Sequence, residues 1–301
     1  MAEGLTPASG AHAAGAGVGI VRAILALPFA IGGTGLILLH RDSIFGMLVP
    51  LAGIGGRSDV VLDSGFRIAI YGPVLLLGLL GLALFRVRPR TGAGGLKTRA
   101  AAPATGVGAV VLLIGIAWAT GVARPAARSF PGGSAWLLGA GTLLILLQVA
   151  AEELLFRGLL QPLLARVWGG AIAVAVAALG FAAVHFAGGW RDPISLVNIV
   201  LAGAWFGLLA WRTGGLAASV MAHFGYNWSE EMLFGASPNP GRGAFGSIVD
   251  LDLSGPAIWG GSVEGLNASV VLSLVLVLLI APLLKQNASP DAIRRGAVAP
   301  T

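Results

Sequence analysis

The chain has 301 residues, of which 56% are hydrophobic and only 11% charged, with a mean hydropathy of +0.87 and a net charge of +6. About a quarter of the residues of a soluble domain are charged, so this composition excludes one and leaves a polytopic membrane protein. The absence of cysteine removes disulfides, thiolate metal sites and a cysteine nucleophile, and the basic residues are spread over helix ends instead of forming a nucleic-acid-binding face.

In chain order, the Ala/Gly-rich stretch 1–17 lacks the basic lead-in of a cleaved signal peptide and reads as a disordered tail. A helix needs about 20 mostly apolar residues to cross the hydrocarbon. On that measure eight spans are predicted, at approximately 18–40, 66–86, 105–124, 135–157, 170–188, 194–212, 215–233 and 267–285. The fourth continues as helix past Pro162 to about residue 167. Between spans two and three stand Arg86, Arg88, Arg90, Lys97 and Arg99, the densest basic cluster of the chain. The positive-inside rule places that loop in the cytoplasm and, over eight spans, both termini with it. This orientation puts 12 of the 19 Lys and Arg residues inside. The Gly/Pro-rich segment 234–266 becomes a long outer loop, and 287–301 a C-terminal tail. The fold class is therefore all-α, a transmembrane domain over 18–286 with its polar motifs within 135–233 and no internal repeat.

Those motifs are out of keeping with their surroundings. Glu152 and Glu153 lie inside LLILLQVAAEELLFRGLL, where each carboxylate at bilayer depth costs about 2.5–3.5 kcal/mol on insertion scales. Glu153 and Arg157 are four apart and meet on one helix face, while Glu152 points about 100° away and is left for another task. A buried salt bridge accounts for one glutamate only. Gln148, one turn before Glu152, is a hydrogen-bond partner within reach. On span five, Phe181 and His185 share a face; with a turn near Gly169, Glu152 and His185 stand at similar heights on antiparallel helices and can share a water molecule. On span seven, His223 and Asn227 at i, i+4 present an imidazole and an amide in one direction. Taken singly, the two histidine motifs also suit interhelical hydrogen bonds. Together, the four polar positions suit chemistry.

Every aspartate falls outside the predicted spans, no HExxH occurs, and Ser219 near His223 has no acidic orienter. What remains is a carboxylate beside an imidazole, the apparatus for activating water, with His223 and Asn227 as donors to a tetrahedral oxyanion. Alternatively, Glu152, His185 and His223 could hold a Zn²⁺ that activates the water. Both lead to amide hydrolysis in or at the edge of the membrane. Intramembrane Glu, His and Arg also build proton relays, so a proton-coupled transporter is the alternative. Transporters usually pair their polar sites between repeats, however, and spans one to three hold no counterpart. Glu230 and Glu231 read as solvated, and Trp168, Trp190, Trp211 and Trp228 as interfacial anchors.

EELLFR, FAAVH and HFGYN, in this order on successive spans, resemble the EExxxR, FxxxH and HxxxN motifs of the CPBP family, the type II CAAX prenyl endopeptidases and their bacterial relatives, often labelled Abi proteins. The resemblance covers residues 135–233 and implies an intramembrane endopeptidase of about eight helices. By match, Glu152 and His185 would activate water, His223 and Asn227 would stabilise the oxyanion, and Glu153 and Arg157 would support the site. The family is named both as metalloprotease and as glutamate-type protease, so zinc is one implied cofactor. The implied partners are the lipid bilayer and a membrane-embedded or lipid-modified peptide or protein, with a CAAX-type substrate as one instance. A non-catalytic scaffold or immunity protein of the same fold is the remaining alternative.

Overall fold

The computed structural model describes residues 8–51, 59–92, 96–126, 135–238 and 244–285. The expected C-terminal tail lies outside these, as do the first seven residues of the expected N-terminal tail; helix α1 (Ala8–Leu27) takes up the rest of that stretch. A π-helical turn, Pro28–Gly32, joins α1 to α2 (Gly33–Leu39), and α3 (Arg41–Leu51) follows where a loop is predicted. Then come α4 (Asp59–Leu84), α5 (Leu96–Ala119), β1 (Ala123–Pro125) and α6 (Ala135–Glu153). A second π-helical turn, Leu154–Leu160, leads into α7 (Gln161–Gly188), followed by α8 (Pro193–Thr213) and α9 (Leu216–Trp228). A third, Ser229–Leu233, ends α9, and the chain closes with β2 (Leu251–Leu253) and α10 (Val270–Lys285).

Among the described residues, five helical segments are long and apolar enough to cross a membrane, where the sequence predicts eight. One of the five, Ala135–Gly188, runs for 54 residues. It is broken at Gly169, whose φ of 78° and ψ of 164° are open to glycine and strained for other residues. Without that break Glu152 and His185 would stand about 50 Å apart, at about 1.5 Å per residue; instead both line one cavity, so the two arms fold back on each other. Large aliphatic side chains such as Leu80, Leu143, Leu179 and Leu278 are exposed on the outward faces, as lipid contact requires.

Boundaries also moved. Helix α4 begins at Asp59 instead of about residue 66, so Asp59 and Asp63 lie on a span, against the expectation that every aspartate falls outside. Asp63 is tolerated because Arg67, one turn on, pairs with it at 3.3 Å. Helix α5 ends at Ala119, short of the predicted 124, because residues 123–125 pair as a strand.

Contacts between connections sort the helix ends into two sets. The backbone amides of Leu216 and Ala217 donate to the carbonyls of Arg90 and Thr91 (2.8 and 3.0 Å), joining the α4–α5 and α8–α9 connections. Strands β1 and β2 pair antiparallel, joining the α5–α6 connection to the segment before α10. Arg41 donates to the carbonyl of Gly188 at 3.0 Å, and Glu264 accepts from the Arg191 amide at 2.8 Å. Helix α9 is pressed against α5 through paired glycines. A Cβ on Gly106 would lie 2.1 Å from the Ala222 carbonyl oxygen, and one on Gly225 would lie 2.4 Å from that of Pro103. That close approach, typical of small residues in membrane helices, fixes the helix carrying His223.

Candidate active site

The site forms where α6, α7, α8 and α9 meet, around a cavity of about 100 Å³. This is room for about three water molecules at liquid density. Glu152, His185, His223 and Asn227 all line it, together with Gln148. Glu153 and Arg157 lie behind the wall, and both side chains are fully buried.

The geometry begins at the end of α6. Glu153 is its last residue, and the π-helical turn that follows carries Arg157. Such turns often mark functional sites because they re-aim side chains within a continuous helix. Arg157 donates to Glu153 Oε1 at 3.0 Å and, across to α8, to the Gly203 carbonyl at 2.8 Å. Its guanidinium also stands 4.7 Å from the centre of the Phe181 ring. One turn further, Gln161 repeats the bridge by donating to the Gly207 carbonyl at 2.9 Å. The pair on one helix thereby becomes a bolt between two.

The same Glu153 Oε1 accepts from His223 Nδ1 at 3.0 Å. A carboxylate oxygen paired with arginine only accepts, so Nδ1 carries a proton and Nε2 is turned towards Glu152, whose Oε2 lies 3.7 Å away. Phe206 stacks on the His223 ring at 4.3 Å between centroids and holds it in that plane. His185 is fixed by the same device: Nδ1 meets the Phe181 carbonyl at 2.8 Å, a group that only accepts. Nε2 of a neutral ring is then left as an acceptor. Glu152 is buried, and its Oε2 has no hydrogen-bond partner among the described residues; Gln148 does not bond to it.

Anchoring Nδ1 and presenting Nε2 is also how metal-bound histidines are held. The ligand set required for zinc is nevertheless not gathered. Among the described residues no three His, Asp or Glu side chains are grouped to hold a metal ion, Glu152, His185 and His223 included.

Several polar residues at the cavity carried no role in the site from the sequence. Glu230 and Glu231, expected to be solvated, are buried and line the cavity. The third π-helical turn swings them inward, and Glu231 meets Arg67 of α4 at 2.8 Å. Their spacing was a usable signal, since His223, Asn227, Glu230 and Glu231 fall at i, i+4, i+7 and i+8 on one face. Asn198 also lines the cavity; it donates to the carbonyls of Asn267 and Ser269 and accepts from Ser273 at 2.6 Å, tying α8 to α10. Two of the expected anchors turn inward. Trp190 lines the cavity, and the Trp228 indole donates to Thr142 at 3.0 Å.

Fold and site together define a multi-pass helical membrane protein with a buried Glu/His centre. Residues 134–229 match the family model of the type II CAAX prenyl endopeptidase Rce1-like proteins, which bears out the resemblance over about a third of the chain and supports a protease. The matched stretch holds Glu152, Glu153, Arg157, His185, His223 and Asn227. No curated protein and no solved structure matches the chain.

Proposed function

We propose that the protein is an intramembrane endopeptidase of the glutamate type, hydrolysing a peptide bond of a membrane-embedded or lipid-modified substrate, of which a CAAX-type prenylated protein is one instance. The observation that carries this reading is the Glu152 carboxylate, buried, with an oxygen free of hydrogen bonds among the described residues, in a cavity it shares with two anchored imidazoles. A water held between Glu152 and His185 Nε2 gives its proton to Glu152 as its oxygen attacks the scissile carbonyl carbon. The oxyanion receives hydrogen bonds from Asn227 and from His223 Nε2, which requires the imidazolium, since Nδ1 is already donating to Glu153. As the C–N bond breaks, Glu152 returns the proton to the leaving amine. Each oxyanion donor is worth about 3–4 kcal/mol in enzymes where one has been removed. The lack of a three-ligand cluster among the described residues favours this route over zinc.

An eight-crossing topology with both termini in the cytoplasm is part of the proposal. Counting the 54-residue run as two crossings and adding α10 and the α9 segment to the other spans gives eight. Alternating sides then puts every pair of hydrogen-bonded connections on the same side, with the basic loop before α5 inside.

The test is cleavage of a fluorogenic membrane-peptide library by purified protein in liposomes, for wild type, Glu152→Ala and His223→Ala, with and without a zinc chelator. Cleavage by wild type alone, insensitive to chelator, is the expected result. Loss on chelation would replace the glutamate route by a metal one. Equal activity in folded Glu152→Ala would remove the site assignment. If no peptide is cut while protons cross the liposome membrane in a Glu152-dependent way, the transporter reading takes its place.

A further inference from the structure

Arginines from three elements come together beside the reversal at Gly169. Arg166 precedes the break by three residues on α7, Arg22 lies on α1 near the start of the Gly17–Leu39 span, and Arg90 belongs to the α4–α5 connection. The core holds these elements against one another. Ala23 beside Arg22, Val87 on the connection of Arg90, and Leu163 and Leu164 just before Arg166 are buried in one cluster. Phe85 at the start of that connection packs edge-on against Phe29 at 5.4 Å between ring centres. Arg22 and Arg90 are both near enough for their charges to act on Arg166. The Arg166 side chain is exposed and that of Arg22 half-buried, and neither pairs with a carboxylate among the described residues. Like charges gathered on packed elements repel, and an anion shared between them turns that repulsion into attraction.

A second feature is independent of that charge and says which anion fits. The arginines border an apolar outer surface. Val21 and Leu25 on α1, Leu84 at the end of α4 and Ile172 just past Gly169 are all exposed. Trp168, two residues beyond Arg166, is partly exposed beside them, as an anchor at headgroup level would be. Basic clusters where helices meet the membrane surface are suited to anionic lipid headgroups. A free phosphate would use the charges alone, whereas a phospholipid uses the charges and the apolar surface together.

We propose that Arg22, Arg90 and Arg166 together bind the phosphate of one anionic phospholipid, whose acyl chains lie along the exposed apolar faces of α1 and α7. The lipid then pins α1 and the α4–α5 connection to the helical arm that ends at Gly169, the arm that carries Glu152. The inference is independent of the peptidase reading.

The test uses the full-length protein in neutral detergent micelles, titrated with phosphatidylglycerol or phosphatidylcholine of the same acyl chains. Bound lipid is counted by native mass spectrometry, and thermal unfolding is followed in parallel. Phosphatidylglycerol is expected to bind about ten-fold more tightly than phosphatidylcholine, or better, at one molecule per chain. Arg22→Gln and Arg166→Gln should each weaken phosphatidylglycerol binding about five-fold and leave phosphatidylcholine binding as it was. Lys285→Gln removes the same charge from an exposed position at the end of α10 and should change neither. Without added lipid, both arginine variants should unfold at or above the wild-type temperature, because losing one charge relieves the repulsion. Lower unfolding temperatures there would make the arginines structural and overturn the site. Equal binding of the two lipids, unchanged phosphatidylglycerol binding in both arginine variants, or an equal loss in Lys285→Gln would overturn it as well. Displacement of the lipid by millimolar inorganic phosphate would assign the arginines to a free anion and overturn the lipid.

Discussion

Two buried ion pairs flank the cavity, and they are assembled in opposite ways. Glu153 and Arg157 are four residues apart on one continuous helical segment, both fully buried. Arg67 and Glu231 are 164 residues apart; their bond exists only once α4 has packed beside the end of α9, and their side chains keep 5% and 8% exposure. The local pair is set by helix geometry before any tertiary contact, and it then serves as a fixed base to which His223 is hydrogen-bonded. The remote pair closes the cavity at its other end and holds Asp63 as a further carboxylate. Breaking a buried pair by removing one partner is far more costly than replacing both, because the survivor is left as an uncompensated charge. The difference between the two pairs therefore lies in how completely each survivor is cut off from water.

The sharpest way to break this comparison is Arg157→Leu. It leaves Glu153 at full burial with His223 as its remaining partner and removes the link to Gly203, so a loss of about 3 kcal/mol or somewhat more is expected, measured by denaturant unfolding in micelles. Next is Glu152→Gln, in which the proposed base is lost while both pairs persist. Peptide cleavage should fall by about 10²–10⁴-fold with the unfolding midpoint within experimental scatter of wild type. A drop in stability equal to that of Arg157→Leu would make Glu152 a structural residue. Arg67→Leu should cost less than Arg157→Leu, about 2–3 kcal/mol, since Glu231 keeps a little solvent and Asp63 stays near the helix end. Adding Glu231→Leu to it should recover most of that loss, measured as a double-mutant cycle. The smallest effect is expected for Asn198→Ala, about 1 kcal/mol or somewhat more, since it removes the hydrogen bonds between α8 and α10 without stranding a charge. If it abolishes cleavage at unchanged stability, Asn198 belongs to the chemistry and not to the frame.

The legible part of this protein follows one rule. Whatever depended on residues within one or two helical turns could be read, because the α-helix places i and i+4 together regardless of what surrounds it. Glu153 beside Arg157, Glu152 pointing elsewhere, Phe181 below His185 and His223 before Asn227 are all of that kind, and so is the hydropathy that makes most of the chain helical and membrane-spanning. The reversal at Gly169 was legible too, since a glycine pair at the end of an apolar run permits a backbone that other residues resist.

What the tertiary structure alone decided depended on which helix ends lie side by side. No local spacing announces that Arg67 will meet Glu231, that Arg157 and Gln161 will find the Gly203 and Gly207 carbonyls, or that Trp190 and Trp228 will face inward. Glu230 and Glu231 were misplaced in water although they share a helix face with His223 and Asn227, because their partner lies on a distant segment. Near the end of an apolar stretch a glutamate reads as exposed, and only the π-helical turn after Trp228, with Arg67 waiting across the bundle, brings it inside. A buried charge needs a partner, and in a helical bundle that partner is chosen by packing between distant segments, which the order of residues along one segment does not contain.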